Sequence, residues 1–200
     1  RLMLPIHDAR GRVIAFGGRK INEEDEPKYL NSPETAVFRK STTLFGLNHA
    51  ARAIKQRRTA VIVEGYTDVI ACHQAGIEHV VGTLGTALTS GHATVLRRLC
   101  DTVVLLFDGD EAGQRAADRA IEVLFRETID IKVAALAGFT DAKDPDELLK
   151  RDDGAAIFEQ AIEGAEDLLK WRFDRLRRSL ADAGPARMTQ AIEDELTRLN

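Results

Sequence analysis

The chain has few cysteines, and the two that it contains indicate neither a disulfide framework nor a metal site. Cys72 and Cys100 both lie in segments of helical pattern, at a spacing that fits no zinc-binding motif. The sequence also lacks an apolar run near the roughly 20 residues that a membrane-spanning helix requires, and its first residues do not form a signal peptide. These absences predict a reducing, cytoplasmic setting, no membrane partner and no zinc site in this part of the protein.

Positive and negative charges are unevenly distributed. Residues 1–60 carry 12 Lys or Arg against 6 Asp or Glu, whereas the remainder carries 16 against 26. A basic part joined to an acidic part suits a polyanion that is held beside a metal site, although chance segregation of solvated charges gives the same balance. Because the chain begins inside an apolar run, Leu2–Ile6, we expect it to be a piece of a longer protein.

The first part of the sequence predicts a small α+β unit. Leu2–Ile6 and Arg12–Phe16 are predicted strands joined by a turn. The polar stretch 23–33, which contains two prolines, predicts a loop, and Thr43–Gln56 predicts a helix.

From residue 60 onward, apolar runs typical of buried strands alternate with helical patterns. This alternation indicates an α/β fold with a mostly parallel sheet flanked by helices. The predicted strands cover 60–64, 80–81, 102–107 and 131–136. The predicted helices cover 68–75 with Gly76 as the C-cap, a segment capped by Thr89, and 111–126.

The pattern becomes entirely helical after Asp146. Predicted helices there cover 147–151, 155–161, 165–180 and 188–199. We therefore expect three parts: a portion of a basic N-terminal subdomain at 1–58, a metal-binding domain at 59–148, and a small helical subdomain at 149–200 that need not be complete.

Acidic residues cluster near the ends of the predicted strands. Glu64 ends one strand, the pair Asp108 and Asp110 follows another, and Asp144 and Asp146 follow a third after a short loop. Because α/β sheets bind their ligands at the carboxyl ends of parallel strands, we expect these carboxylates to converge. Carboxylates that converge repel one another unless a cation is present, and oxygen-rich clusters suit Mg²⁺ or Mn²⁺.

Most of these acids also have simpler structural explanations. Asp68 is a favourable acid at a helix start, which does not explain Glu64 at the rim of a buried strand. Asp-Gly-Asp at 108–110 fits an ordinary turn, although residues i and i+2 of an extended segment point to the same side and can share one metal or a metal pair. Asp144-Pro145-Asp146 fits a helix N-cap with proline in the first helical position.

Two further segments are candidates for binding phosphate. Backbone N–H groups of the turn Leu84–Ala87 suit a phosphate, and a simple tight turn explains this segment equally well. The basic segment offers cations that neutralise phosphates and Tyr29 for stacking on a base, with a solvated basic loop as the alternative. Its cations are Arg19, Lys28, Arg39 and Lys40.

Glu64 followed by Asp108-Gly-Asp110 resembles the acidic signature of the Toprim fold, which occurs in bacterial primases, type IA and type II topoisomerases, some nucleases and recombination-repair proteins. From about Arg1 to Leu149, the chain more specifically resembles the RNA polymerase domain of the bacterial replicative DNA primase (DnaG type). The segments that carry this resemblance are Pro27–Thr35, Leu44–Leu47, Glu64–Asp68, Leu84–Ala87, Phe107–Gly113 and Lys143–Asp146.

The resemblance implies DNA-templated RNA primer synthesis for DNA replication, a metal-dependent nucleotidyl transfer from NTPs to a 3′-hydroxyl. The implied catalytic acids, which also bind Mg²⁺ or Mn²⁺, are Glu64, Asp108 and Asp110. The implied further metal ligands are Asp68, Asp144 and Asp146. The implied nucleotide- and template-binding surface consists of Arg19, Lys28, Tyr29, Asn31 and Lys40.

The implied partners are a single-stranded DNA template, NTPs and the RNA primer, at the replication fork in the bacterial cytoplasm. A replicative helicase and a single-strand-binding protein are expected to bind through parts of the parent protein that this sequence does not contain. The family's zinc-binding domain and the upstream part of the catalytic core are also expected to be missing. We therefore expect this fragment alone to be weakly active or inactive.

Two alternative functions stay open. One is another Toprim enzyme, a topoisomerase or a nuclease; a topoisomerase needs a nucleophilic tyrosine, and neither Tyr29 nor Tyr66 has an obvious setting for that role. The other is a non-catalytic module that binds nucleotides or nucleic acid through Mg²⁺. DNA cleavage would favour the first, and nucleotide binding without turnover in the complete domain would favour the second.

Overall fold

The computed structural model contains two β-sheets, and it describes residues 1–106, 111–124, 129–180 and 183–198. The side chains of residues 111–117, 179 and 198 lie outside this description. Within the described residues, one sheet has three strands and the other has five.

The three-stranded sheet is antiparallel and lies at the start of the chain. Its strands, in spatial order, are β1 (Leu2–His7), β2 (Val13–Arg19) and β3 (Tyr29–Asn31). The first two strands confirm the sequence prediction. The third corrects it, because it forms within the stretch predicted to be a loop. Pro27 and Pro33 flank this three-residue strand, so neither proline removes a hydrogen bond from its ladder.

The five-stranded sheet has the order β5-β4-β6-β7-β8. The strands are β4 (Thr59–Val63), β5 (Val80–Gly82), β6 (Thr102–Leu106), β7 (Asp130–Ala134) and β8 (Glu166–Asp167). Strands β5, β4, β6 and β7 are parallel, and β8 pairs with β7 in the antiparallel direction. The predicted mostly parallel sheet is thus confirmed. Phe45 and Gly82 form an additional antiparallel bridge beside β5.

The helices follow the predicted order, with corrections at their ends. They are α1 (Leu47–Arg57), α2 (Tyr66–Gln74), α3 (Ser90–Arg97), α4 (Glu111–Leu124), α5 (Pro145–Leu148), α6 (Gly154–Glu163), α7 (Leu168–Ser179) and α8 (Pro185–Arg198). Helix α1 begins later than predicted because Gly46 has a left-handed backbone with φ of 79°. Thr89 caps α3 as predicted, since its side chain accepts the His92 N–H.

Helices cover both faces of the five-stranded sheet. Alternate residues of β4 point to opposite faces: Ala60 and Ile62 pack with α1, α3, α4 and α7, whereas Val61 and Val63 pack with α2, α5 and α6. All four side chains are fully buried, which explains the continuous apolar run of this strand. None of the helices in the described residues is long and apolar enough to span a bilayer.

The segment after Asp146 packs directly on the five-stranded sheet. Phe158 of α6 is buried against one face, and Leu168 of α7 is buried against the other. The prediction that this region is entirely helical is wrong, because Glu166–Asp167 forms β8 at the edge of the sheet. A two-residue strand is too short to leave a periodic pattern in the sequence. The domain boundaries stay predictions.

One buried histidine is expected to make the stability of the fold depend on pH. His79 precedes β5 and is only 3% exposed, and its Nδ1 has no hydrogen-bond partner among the described atoms. Burial lowers the pKa of His79 to about 4, and the nearby positive charge of Arg57 acts in the same direction. Folding therefore favours the neutral imidazole.

We predict that the free energy of unfolding falls as the pH drops from about 6.5 towards 4, because the unfolded His79 takes up a proton before the folded one does. The stabilising contribution is complete above this window and is lost within it. Urea denaturation of the wild type and His79→Leu, at about pH 7 and about pH 5, measures the effect. The variant is expected to lose less stability on acidification; equal losses in both proteins would assign the effect to other groups.

Candidate functional site

A cavity of about 460 Å³ opens at the carboxyl ends of β4, β6 and β7. Its walls include Glu64, Asp68 and Asp144, together with parts of the loop between Ala135 and Pro145. Neither His nor Cys occurs among the described residues that line it. The metal-ligating donors on these walls are therefore oxygen atoms, which suit Mg²⁺ or Mn²⁺ better than softer transition metals.

Glu64 stands directly after β4, where the parallel sheet ends. It also lines a second cleft of about 260 Å³, formed with the turn at Thr83–Leu88 and Arg119 of α4. Gly85 of this turn has φ of +68°, a conformation that favours glycine. Glu64 thus lies between the cavity and the second cleft. Whether the turn receives phosphate stays a prediction.

The Asp68 carboxylate connects two helix starts. It is only 7% exposed; its Oδ2 accepts the Gly65 N–H at 3.0 Å, and its Oδ1 accepts the Asp146 N–H at 3.3 Å. A Cβ atom at Gly65 would lie 2.7 Å from Asp68 Oδ2, so the close approach requires glycine. Asp68 is therefore the helix-start acid of α2, as the simpler explanation held, and it also fixes α5 beside α2.

Asp144 and Asp146 lie at the start of α5. Asp144 is its N-cap, with Oδ1 accepting the Glu147 N–H at 2.7 Å, and Pro145 follows in the first turn. Asp146 forms an ion pair of 2.9 Å with Lys150. The capping explanation is therefore correct for Asp144, which lines the cavity as well.

The central acidic pair, Asp108 and Asp110, lies outside the described residues. The described chain ends β6 at Leu106 and resumes with α4 at Glu111. In the parts of the chain that the structure describes, no group of three or more His, Cys, Asp or Glu side chains is arranged to hold a metal ion. The metal site consequently stays a prediction, with Glu64, Asp68 and Asp144 brought to one cavity.

The basic residues form a cluster around Tyr29. The guanidinium carbon of Arg19 lies 5.9 Å from the centre of the Tyr29 ring, and Lys28 Nζ lies 5.7 Å from it, which is the range of cation–π contacts. The Tyr29 ring lies 5.9 Å from the ring of Tyr66, which follows Glu64 by two residues. The basic cluster therefore lies near the segment that carries this acid.

Asn31 and Lys40 are held by contacts with the second part of the chain. Asn31 Nδ2 donates to the Leu84 carbonyl at 2.8 Å, and the Lys40 carbonyl lies 2.7 Å from His92 Nε2. His92 is fully buried. The contact between His92 and the backbone of Lys40 was not predicted from the sequence. A single histidine in a helical segment, without metal-ligand spacing, does not indicate such a role.

Three wall residues were also not identified from the sequence. Lys143 and Thr140 line the cavity, and Arg119 lines the second cleft. The position of Lys143 next to Asp144 is a signal that points to it. Arg119 and Thr140 carry no such signal, because only the folded chain brings them beside Glu64.

Two family descriptions match the chain. Residues 1–51 match the N-terminal domain of the DNA primase catalytic core, and residues 61–149 match a Toprim-like domain. A curated relative named DNA primase from Synechococcus elongatus is 43% identical over 205 residues, an alignment that covers 100% of this chain and 29% of the relative. The chain thus spans about a third or less of the length of the curated relatives it matches.

Solved primase structures have the same fold. The E. coli primase catalytic core superposes with a TM-score of 0.83 at 37% identity, over 98% of this chain and 63% of that chain. A DnaG primase catalytic domain bound to single-stranded DNA gives a TM-score of 0.82 at 37% identity, over 98% of this chain and 64% of that chain. The chain belongs to the bacterial DnaG-type DNA primase family, in which it corresponds to part of the catalytic core.

Proposed function

We propose that the parent protein of this chain synthesises RNA primers on a single-stranded DNA template, and that this chain supplies the metal-binding part of its active site. The observation that carries the proposal is the contact between the basic cluster and the acidic segment: the Tyr29 ring lies 5.9 Å from the ring of Tyr66, and Glu64, two residues before Tyr66, lines the cavity together with Asp68 and Asp144. Such a pairing suits a nucleoside triphosphate, since cations neutralise phosphates and carboxylates hold the metal that binds them.

A Toprim domain implies a divalent metal ion, and we propose Mg²⁺ or Mn²⁺. The described walls fit this choice because their donors are oxygen atoms. Mg²⁺ usually takes one or two protein carboxylates and leaves its other positions to water and phosphate. Glu64 together with Asp108 and Asp110 would hold the metal, and Asp144 also lines the cavity.

Different residues of this chain would have different roles in nucleotidyl transfer. When bound, the metal would stabilise the charge of the reacting phosphates and activate the attacking 3′-hydroxyl. Arg19, Lys28 and Lys40 would neutralise the triphosphate or the template backbone, and Tyr29 would stack on a base. Asp68, whose two oxygens accept backbone N–H groups, would keep the acidic walls in place.

The template, the NTPs and the RNA primer are the proposed partners at this site. The template is supported by the related DnaG catalytic domain that was solved with single-stranded DNA. Contacts with a replicative helicase and a single-strand-binding protein, and a location at the cytoplasmic replication fork, are proposed for the parent protein.

We predict that Asp108→Asn or Asp110→Asn abolishes metal-dependent primer synthesis in the complete polymerase domain with little loss of folding, because each change removes one negative charge from the metal site. Calorimetry of NTP binding with Mg²⁺ or Mn²⁺ should show the same loss. Asp130→Asn is the matched control, since Asp130 is exposed at the opposite end of β7. Undiminished synthesis by either variant would refute the site, and DNA cleavage without synthesis would favour another Toprim enzyme.

Asp68→Asn is predicted to lower the free energy of unfolding by about 1–3 kcal/mol, because an amide turns one of its two buried acceptors into a donor that faces a backbone N–H. Urea denaturation of the polymerase domain measures the loss. Asp144→Asn, which keeps one oxygen for the cap, is expected to lose less. Wild-type stability in Asp68→Asn would contradict the bridging role.

A further inference from the structure

Tyr66 is a buried aromatic residue between the two sheets. It is the first residue of α2 and only 4% exposed. Its ring makes an edge contact with Phe45 at a centroid distance of 4.7 Å and lies 5.9 Å from the ring of Tyr29. Tyr66 therefore touches the basic cluster from the side of the acidic cavity.

The Tyr66 hydroxyl is the start of a hydrogen-bonded bridge. It donates to Asn31 Oδ1, and Asn31 Nδ2 donates to the Leu84 carbonyl at 2.8 Å. Both ends of the Asn31 amide are thus engaged by the part of the chain that carries the acidic cavity. The Leu84 carbonyl adjoins the turn that lines the second cleft beside Glu64.

The tip of the Tyr66 ring rests on the backbone of β2. A Cβ atom at Gly17 would lie 2.9 Å from Tyr66 Cζ and 3.3 Å from Asn31 Oδ1. Gly17 pairs with Asn31 across the antiparallel ladder. The absent side chain of Gly17 is therefore what allows the tyrosine tip to lie against this strand pair.

This bridge complements the contact made by Asp68. The turn from Glu64 to Asp68 is held on one side by the bond from Asp68 Oδ1 to Asp146, and on the other side by the bond from Tyr66 to Asn31. Glu64 lies only two residues before Tyr66. Both contacts therefore fix the backbone of the segment that carries Glu64.

We propose that Tyr66 is a positioning residue that sets the distance between the acids at Glu64–Asp68 and the basic cluster around Tyr29, acting through Asn31. The proposal rests on the proposed function, because the two groups have to engage the same nucleotide.

The test is a double-mutant cycle in the full-length parent protein, with Tyr66→Phe, Asn31→Ala and the pair. Tyr66→Phe removes only the hydroxyl. It is expected to lower kcat for primer synthesis by roughly three- to tenfold, the effect of one hydrogen bond, with the KM for NTPs changed less than about twofold. Because both residues act in one bridge, the double variant is expected to be no worse than Asn31→Ala.

Ile54→Val is the control for a general loss of stability, since Ile54 is fully buried on α1 in the core. This variant is expected to lower the melting temperature while leaving kcat unchanged. Wild-type kcat in Tyr66→Phe, or losses that simply add in the double variant, would overturn the positioning role.

The same cycle measured by urea denaturation separates this proposal from the proposed function. Coupling between positions 31 and 66 in the free energy of unfolding supports the bridge on which the positioning role depends, even if the wild type makes no primer. Absence of primer synthesis by the wild type would refute the proposed function alone. Absence of coupling would refute the bridge alone.

Discussion

The parallel pairing of β4, β6 and β7 is the constraint on which the rest of the structure depends. Ala60 pairs with Val103, and Val103 pairs with Ile131, so the three strands end at the same level. Apart from Thr59, Thr102, Asp130 and Lys132, their side chains are buried, and slipping the register would expose apolar surface on both faces. The cavity lies where it does because the chain has to leave each strand at this edge.

Backbone N–H groups at that edge are satisfied by the same carboxylates that line the cavity. Asp68 accepts two of them and Asp144 accepts a third. A buried donor left without a partner costs free energy, so the helix starts depend on these acids. Stability and chemistry are consequently linked at α2 and α5, and a substitution there is expected to change both.

The sequence was sufficient to predict the longer helices and strands and the mostly parallel direction of the strands in the larger sheet. The runs Ala60–Val63 and Thr102–Leu106 are long and apolar enough to show buried parallel strands. It was insufficient for β3 and β8, because Tyr29–Asn31 lies in a polar stretch between two prolines and Glu166–Asp167 is acidic. Neither has the apolar residues that indicated the equally short β5. The start of α1 was also missed, since Gly46, inside the predicted helix, has a left-handed backbone, and the tertiary contacts that leave no room for a Cβ there, with Val69 and His73, are not visible in the sequence.

For the site, the sequence identified Glu64, Asp68 and Asp144, which the structure brings to one cavity. It did not identify Tyr66 or His92 as anchors, because their partners, Asn31 and Lys40, are far away along the chain. Asp108 and Asp110 lie outside the described residues and stay predictions.

Short backbone pairings cover part of each edge of the five-stranded sheet, and this affects how readily the protein can associate with other chains in solution. The bridge between Phe45 and Gly82 lies at one edge of the five-stranded sheet, beside β5, and β8 pairs with β7 at the other edge. The unpaired N–H and C=O groups of an edge strand are templates for association with other chains. Each short pairing therefore covers part of a sheet edge that would otherwise be open to such association.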